Sequence, residues 1–576
     1  MRLLICSVLL ITIGQVSVAD DVLIDNITVY VAKKIITMDP AFPEAQIVAV
    51  RDGRILSVGR DLSDLAPWLN SNPHTIVETF NDKILLPGFI EAHGHPLLGG
   101  ILMTRKLSAY KDIQNPHGPM TTGVKTREAA IARLAEYHRT MTDPDEVLFS
   151  FGFDIVRFEG HLTRDELDRI SSVRPIVVLD NSQHFAYVNS AFIKLYGFSP
   201  DLANEINGVQ LDSHGELNGQ FLGVTAATFA LKGELSKLLA PDEAKKALDF
   251  MVAISQQGGI TTQNEMVAGI INLDVEDEIY RSYFDKFKPM RVVVVTDAKA
   301  LLTAAGDNAV DLYRDRASRS TDTLIYLGVK AFSDDSFSAL GMAIENPGYI
   351  DGHEGLYINQ GKALTDLLLP FWKAGIKIHV HSNGNGGQEN TLASLAEMQR
   401  LQPRVDHRFT FQHLGIFTSE QSKRMAALGA MASVNPYYLY QWGEEFEKHI
   451  GTDRAHLAAR FKTLTDDDIT VSMHSDTPVG PALPLEWVWI AVNRFGESGK
   501  VLAAEERVAV YQALKMITID AAYTLGVEDK IGSISTGKFA DFTVLEQDPF
   551  EVPKEEIRDI GIWGTILGGR PIPVSR

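Results

Sequence analysis

The sequence has almost no cysteine and no excess of positive charge. Its 576 residues contain one Cys, which argues against a disulfide-rich scaffold. Lys and Arg number 54 against 74 Asp and Glu, and the formal net charge of −20 argues against a nucleic-acid partner. Hydrophobic residues make up 45% of the chain, which excludes a disordered class. We expect an acidic multidomain globular protein that acts on small molecules.

The N-terminus has the pattern of a secretory signal peptide. Arg2 precedes an apolar stretch, and Ser17-Val18-Ala19 supplies small residues before Asp20. We predict a signal peptide over 1–19 and export to the periplasm or outside the cell. The stretch is shorter than the about 20 apolar residues that span a bilayer, so no stable membrane anchor is expected. Cys6 lies inside it, so the mature chain would carry no thiol chemistry.

The two chain ends share a β-rich texture. Short alternating apolar runs fill residues 20–86, where Asp52-Gly53 favours a tight hairpin, and similar runs return in 531–576. This pattern predicts a small β-sandwich domain built from both ends. The segment between them, 87–530, would then be inserted as the larger domain.

That larger domain alternates β-branched apolar runs with helical patterns, which predicts an α/β fold, a (β/α)8 TIM barrel. An interval of about 97–257 after the first run is too long for one barrel loop and predicts an insertion or lid with its own helices. The eight runs are 83–93, 259–265, 290–296, 327–332, 375–381, 409–413, 430–434 and 469–474.

Histidines stand where several of these predicted strands end. His93 and His95 are two residues apart, so on a strand both side chains point the same way. Further candidate ligands follow later strands, and the carboxyl ends of barrel strands converge in space. Imidazoles with a carboxylate suit Zn²⁺ or a similar divalent ion, which lowers the pKa of a bound water to about 7. The later candidates are His379 and His381 after the fifth run, His413 after the sixth, and His474 with Asp476 after the eighth.

Six segments together resemble the amidohydrolase superfamily, and within it amidohydrolase family 3, whose members look like metal-dependent N-acyl or N-formyl hydrolases. The resemblance implies that His93, His95, His381, His413 and Asp476 bind metal and that Asp476 also moves the proton. It implies hydrolysis of a non-peptide C–N bond by metal-bound hydroxide. The segments are 86–95, Gly328-Val329-Lys330 with Asp334, Val380-His381 with Gly384, Gln412-His413, 475–479 and 531–542.

Two further residues receive roles through the resemblance. Lys330 occupies the position where some amidohydrolases carry a carboxylated lysine, which would bridge two divalent metals; the alternative is a rim pair with Asp334 or Asp335 and a single metal. His184 matches a histidine that faces the substrate, the alternative being a structural histidine.

The sequence also departs from the family pattern. Gln412 replaces a usual Glu, Asn385 replaces a usual Asp, Asp335 replaces a usual Gly, and an expected downstream arginine is missing. The leading hypothesis is an exported metal-dependent amidohydrolase of small molecules. A mononuclear deaminase on the same fold, and a non-catalytic binding or regulatory protein, are the alternatives.

Overall fold

The computed structural model describes residues 26–574, so the predicted signal peptide lies outside the described residues. Its centre is a parallel eight-stranded sheet in which each strand pairs with the next in sequence, and the predicted α/β barrel is confirmed. The strands, called barrel strands 1 to 8, are Phe89–Gly94, Ile260–Ala268, Arg291–Asp297, Leu324–Phe332, Ile378–Ser382, Thr410–His413, Met431–Val434 and Val471–Met473.

The first predicted run is divided between two sheets. Residues up to Pro87 pair with the C-terminal part of the chain, and barrel strand 1 begins only at Phe89. Gly88 makes the corner, since a Cβ there would lie 2.0 Å from the Thr261 hydroxyl oxygen. Its backbone N–H donates to the Asp541 carbonyl at 2.9 Å. A close approach that only glycine allows therefore separates the two strands.

Strands from both chain ends form one mixed sheet of seven strands, which we call the end sheet. The predicted hairpin is present, with φ of 52° at Asp52 and 72° at Gly53, as a two-residue turn requires. A buried ion pair joins the end sheet to the barrel, with Arg291 Nε 2.6 Å from Asp541 Oδ2. In sheet order the strands are Arg570–Pro573, Ile562–Leu567, Phe542–Leu545, His74–Pro87, Ile27–Ile36, Glu44–Arg51 and Arg54–Gly59.

The insertion after barrel strand 1 contains a sheet of its own, which the sequence reasoning did not predict. Its strand Leu148–Phe153 is buried at every residue and so lacks the alternation that marks a half-exposed strand. The insertion has helices of its own, as predicted; one is Arg127–Thr140, at whose start the Thr126 hydroxyl accepts from the Ala129 N–H. In order the six strands are Val209–Leu211, Leu217–Leu222, Phe185–Val188, Ile176–Asp180, Leu148–Phe153 and Lys106–Leu107.

Helices surround the barrel and complete the insertion. Among residues 26–574 no helix is both long and apolar enough to cross a bilayer. The α-helices are Ala66–Leu69, Pro96–Met103, Arg127–Thr140, Arg164–Ile170, Ser190–Tyr196, Leu202–Glu205, Val224–Leu238, Pro241–Gln257, Leu273–Phe284, Ala298–Ala305, Ala309–Ala317, Lys362–Lys373, Asn385–Leu401, Ser419–Ala427, Tyr437–Trp442, Glu447–Ile450, Thr452–His456, Phe461–Asp466, Pro484–Asn493, Val510–Met516 and Ile519–Leu525.

Candidate metal centre

The ends of barrel strands 1 and 8 are joined at the site. The Asp476 N–H donates to the His93 carbonyl at 3.0 Å, and the His95 N–H donates to the Thr477 carbonyl at 3.1 Å. The buried Glu91 carboxylate accepts from the Ser475 N–H at 3.1 Å and from the His93 N–H at 3.3 Å. Burial raises the pKa of Glu91 to about 8. These bonds fix the backbone that presents two histidines and an aspartate.

Three of the predicted ligands have the spacing that one divalent ion needs. Asp476 Oδ1 lies 3.1 Å from His95 Nε2 and 3.5 Å from His93 Nε2. A tetrahedral Zn²⁺ with bonds of about 2.0–2.1 Å separates its ligand atoms by about 3.3–3.4 Å. The donor set therefore fits such an ion in chemistry and in spacing.

Gln412 fixes the orientation of the first histidine. Its Oε1 lies 2.7 Å from His93 Nδ1, and its Nε2 lies 2.8 Å from His379 Nδ1. The oxygen of the amide accepts from one ring while its nitrogen donates to the other, which suits a His379 ring whose Nδ1 carries no proton. The arrangement places the proton of His93 on Nδ1 and leaves Nε2 free to bind a cation. The replacement of a family carboxylate by Gln412 thus has a local reason.

The other histidines form an adjoining group. His413 Nδ1 lies 3.1 Å from His474 Nε2 and 3.7 Å from Asp476 Oδ2. His93, His413 and His474 form a second set of three donors close enough to share an ion. Burial lowers the pKa of each of these three rings, which favours the neutral, ligating form. His474 is a donor that the sequence reasoning noted but did not assign.

His381 lies at the edge of this group. Its Nε2 is 3.0 Å from the Asn383 side-chain nitrogen and 3.2 Å from the Asp335 carbonyl. Its ring centroid lies 4.5 Å from that of His413. The described chain does not bring His381 into either set of three donors.

Lys330 is buried beside the histidines, with 1% of its surface exposed. Burial lowers its pKa to about 7, although Asp476 and Asp297 oppose the shift. Among the described residues no ion pair joins Lys330 to Asp334 or Asp335, so the rim pair is not formed. Asp334 instead accepts from the backbone of loop 383–384.

His184 reaches the site from the insertion. Its Nδ1 lies 3.1 Å from Asp335 Oδ1, and its ring centroid is 5.2 Å from that of His381. Burial lowers the pKa of His184, but Asp335 outweighs it and the pKa is raised. Asp335, the residue that departs from the usual glycine, thus partners the predicted substrate contact.

Sequence reasoning missed Glu265, which ends its second predicted strand. Glu265 Oε1 lies 3.5 Å from His95 Nδ1, and its other oxygen accepts from the Tyr280 hydroxyl. Burial lowers the pKa of His95, but Asp476 and Glu265 outweigh it and raise that pKa to about 9. The sequence contained this signal, because Glu265 ends the predicted run 259–265 just as the chosen histidines end theirs.

Asn385, the other position where an amide replaces a usual family carboxylate, makes a structural contact. Its Oδ1 accepts from the Glu345 N–H at 2.9 Å, and its Nδ2 donates to the Glu345 carbonyl at 3.2 Å. Two backbone groups of one residue are satisfied by one amide. A carboxylate could not supply the second bond.

All seven predicted site residues border one cavity, called the chamber. The space between its atoms is about 690 Å³, part of which is continuous with solvent. The chamber is within the size range of small-molecule sites. Those seven residues are His93, His95, His184, Lys330, His381, His413 and Asp476.

A barrel with imidazoles and a carboxylate gathered at the carboxyl ends of its strands defines a metal-binding barrel protein. The family model described as "Amidohydrolase family" matches residues 81–573, and the chain belongs to that family.

Similar proteins cover nearly the whole chain. N-substituted formamide deformylase of Arthrobacter pascens is 26% identical over 92% of this chain and 96% of its own length. The protein LONG AFTER FAR-RED 3 of Arabidopsis thaliana is 23% identical over 96% of this chain and 91% of its own. An uncharacterised metal-dependent hydrolase of Pyrococcus horikoshii OT3 has a TM-score of 0.69 at 19% identity, covering 92% of this chain and 99% of that one. That structural likeness shows the fold alone.

Proposed function

We propose that the protein is a metal-dependent amidohydrolase that cleaves an N-formyl or N-acyl bond of a small molecule. The observation that carries the proposal is the spacing of His93, His95 and Asp476, whose donor atoms lie 3.1 to 3.5 Å apart around Asp476. Membership of the amidohydrolase family and similarity to a protein named as a formamide deformylase support it.

The proposed reaction divides among these side chains. A divalent ion, Zn²⁺ in our proposal, would lower the pKa of water and polarise the substrate carbonyl. Asp476 takes a proton from the attacking water and returns it to the leaving nitrogen. Oxygen adds to the carbonyl carbon, the C–N bond breaks, and a carboxylic acid and an amine result. His184, held by Asp335, is placed to donate a hydrogen bond to the substrate.

We extend the proposal to a carbamate on Lys330. A buried lysine with a pKa of about 7 is substantially neutral at physiological pH. Its nitrogen can add to CO2 with loss of a proton, and the resulting carboxylate would bridge two ions. Lys330→Ala should then lose activity and regain part of it with added acetate. Mass spectrometry under conditions that preserve carbamates should find Lys330 heavier by one CO2, about 44 Da. One bound metal and an unmodified Lys330 would contradict the bridge.

The test of function combines metal analysis with turnover. Zinc-loaded protein is assayed for amine release from N-formyl and N-acyl amines, and His93→Ala and Asp476→Ala are expected to abolish release. Asn385→Asp is the control and should still release amine, because Asn385 contacts the Glu345 backbone and not the metal donor set. Metal binding without turnover across the panel would favour a binding protein.

Export is a separate proposal. It is supported by the positive residue, apolar stretch and small residues of the first 19 positions. N-terminal sequencing of the protein from its host should begin near Asp20. An intact Met1 on cytoplasmic protein would contradict export.

A further inference from the structure

Apart from the predicted site residues, the chamber is lined mainly by apolar side chains, and Ser182, Gln183 and Thr228 are the polar exceptions. Among the described residues that line it, no arginine occurs, Lys330 is the one cationic side chain of the Lys/Arg type, and Asp476 is the one carboxylate. Most of the remaining wall is aliphatic. Beside that aliphatic wall, away from Lys330 and the histidines, a charged group on a substrate would lose its hydration without gaining a partner.

One helix of the insertion forms an aliphatic wall. Helix Val224–Leu238 presents Val224, Thr228, Leu231 and Leu235 to the chamber, with intervals of four, three and four residues. That spacing puts all four on one helix face. Leu231 and Leu235 are only 2% and 4% exposed, so this end of the chamber is closed to bulk water.

The start of the helix lies at the reactive end of the chamber. The Val224 N–H donates to Asp335 Oδ2 at 3.4 Å, and Asp335 pairs with His184. At 1.5 Å per residue, Leu235 lies about 16 Å farther along the helix axis. The wall therefore leads from the metal centre to a closed apolar end.

A second cavity shares part of its wall with the chamber but differs in character. Val224, Thr228 and Lys330 line both cavities. The second one, about 1330 Å³ including open solvent, is also lined by Lys232 and Lys299. An apolar group is therefore favoured in the closed end beside Leu235, and polar groups are favoured in the open one.

We propose that the closed end of the chamber binds an uncharged, unbranched alkyl substituent of the substrate, with Leu231 and Leu235 limiting its length. The inference rests on the proposed function, since it places the scissile bond at the metal centre. N-formyl or N-acyl alkylamines are then preferred over N-acyl amino acids.

The test uses straight-chain alkyl hydroxamic acids of two to ten carbons, whose head group binds zinc, titrated into zinc-loaded full-length protein. Each methylene that enters the chamber should tighten binding about fourfold until the chain reaches Leu235. Leu235→Ala should move the optimum to longer chains and Leu235→Phe to shorter ones. Phe229→Ala, on the exposed face of the same helix, is the control and should leave the profile unchanged.

The outcomes separate this inference from the proposed function. Affinity independent of chain length, or the same length profile in both folded Leu235 variants, would overturn the inference even if formamides are hydrolysed. A length-dependent profile without any amide hydrolysis would support the chamber and overturn the proposed reaction. If Leu235→Phe fails to fold, the shift expected for Leu235→Ala decides. N-formyl-leucine should be cleaved at least about 100-fold more slowly than N-formyl-hexylamine, in line with the cost of an unpaired buried carboxylate.

Discussion

Replacing Gln412 by leucine should weaken metal binding and destabilise the barrel together. The amide holds His93 at 2.7 Å and His379 at 2.8 Å, and all three side chains are buried. Leucine leaves two ring nitrogens without partners, at about 1–3 kcal/mol each, so we expect a loss of about 2–6 kcal/mol in the free energy of unfolding. Release of His93 should lower zinc affinity by about 10–100-fold.

Gln412→Glu is the matched variant for this prediction. The carboxylate still accepts from His93 but cannot donate to His379, so the latter must carry its proton on Nδ1. Because His379 Nε2 has no hydrogen-bond partner among the described residues, that change of tautomer breaks no further bond. Zinc affinity of the Glu variant should stay within about threefold of the native value, well above the leucine variant.

The assay measures zinc affinity by competition with a fluorescent chelator and the stability of metal-free protein by urea denaturation. A leucine variant that binds zinc as tightly as native protein would show that Gln412 does not orient a ligand. Equal loss in the Glu and Leu variants would instead assign the effect to the hydrogen bond with His379.

Two further predictions concern stability. Asp541→Asn should lower the free energy of unfolding, measured by urea denaturation, by about 3–5 kcal/mol, because the guanidinium of Arg291, only 6% exposed, loses its counter-charge. Lys33→Met is the control: it removes an exposed ion pair with Glu551 and should change stability by less than about 0.5 kcal/mol. Burial raises the pKa of Glu276 from 4.5 to about 7 against hydrogen bonds from three backbone N–H groups, so the folded state keeps a proton that the unfolded chain has lost. Stability should therefore fall by about 3 kcal/mol as pH rises from 4.5 to 7, relative to Glu276→Gln, and parallel curves for the two proteins would contradict this.

Sequence patterns predicted the barrel because its strands are short, β-branched and separated by capped helices. Thr418 illustrates this, since its hydroxyl accepts from the Gln421 N–H at the start of the helix that follows barrel strand 6. The insert sheet was missed because its strands Leu148–Phe153, Ile176–Asp180 and Phe185–Val188 are buried at every residue, and in such strands periodicity does not separate strand from helix. The division of the first run at Gly88 was missed because it depends on contact with Thr261, which is distant in sequence.

The same limit applies to the site. Residues that follow strands could be chosen from sequence because barrel topology brings them together. The partners that set their chemistry could not be assigned, since Gln412 acts through its distance from His379, and Asp335 through its contact with His184. In the sequence Gln412 looks like the loss of a carboxylate, whereas in the structure its uncharged amide hydrogen-bonds to both His93 and His379.

Backbone conformation adds a reason why the site depends on the whole barrel. His413 and Asp476 have φ of 77° and 60°, in the left-handed region that costs a residue with a side chain of order 1–3 kcal/mol. His413 is the last residue of barrel strand 6, and Asp476 lies in the loop after barrel strand 8, where its N–H donates to the His93 carbonyl at 3.0 Å. Barrel strand 1 therefore stabilises the backbone conformation in which the Asp476 side chain lies beside His93 and His95. Because this link also joins the first and last strands, closure of the barrel and assembly of the donor set are one structural event.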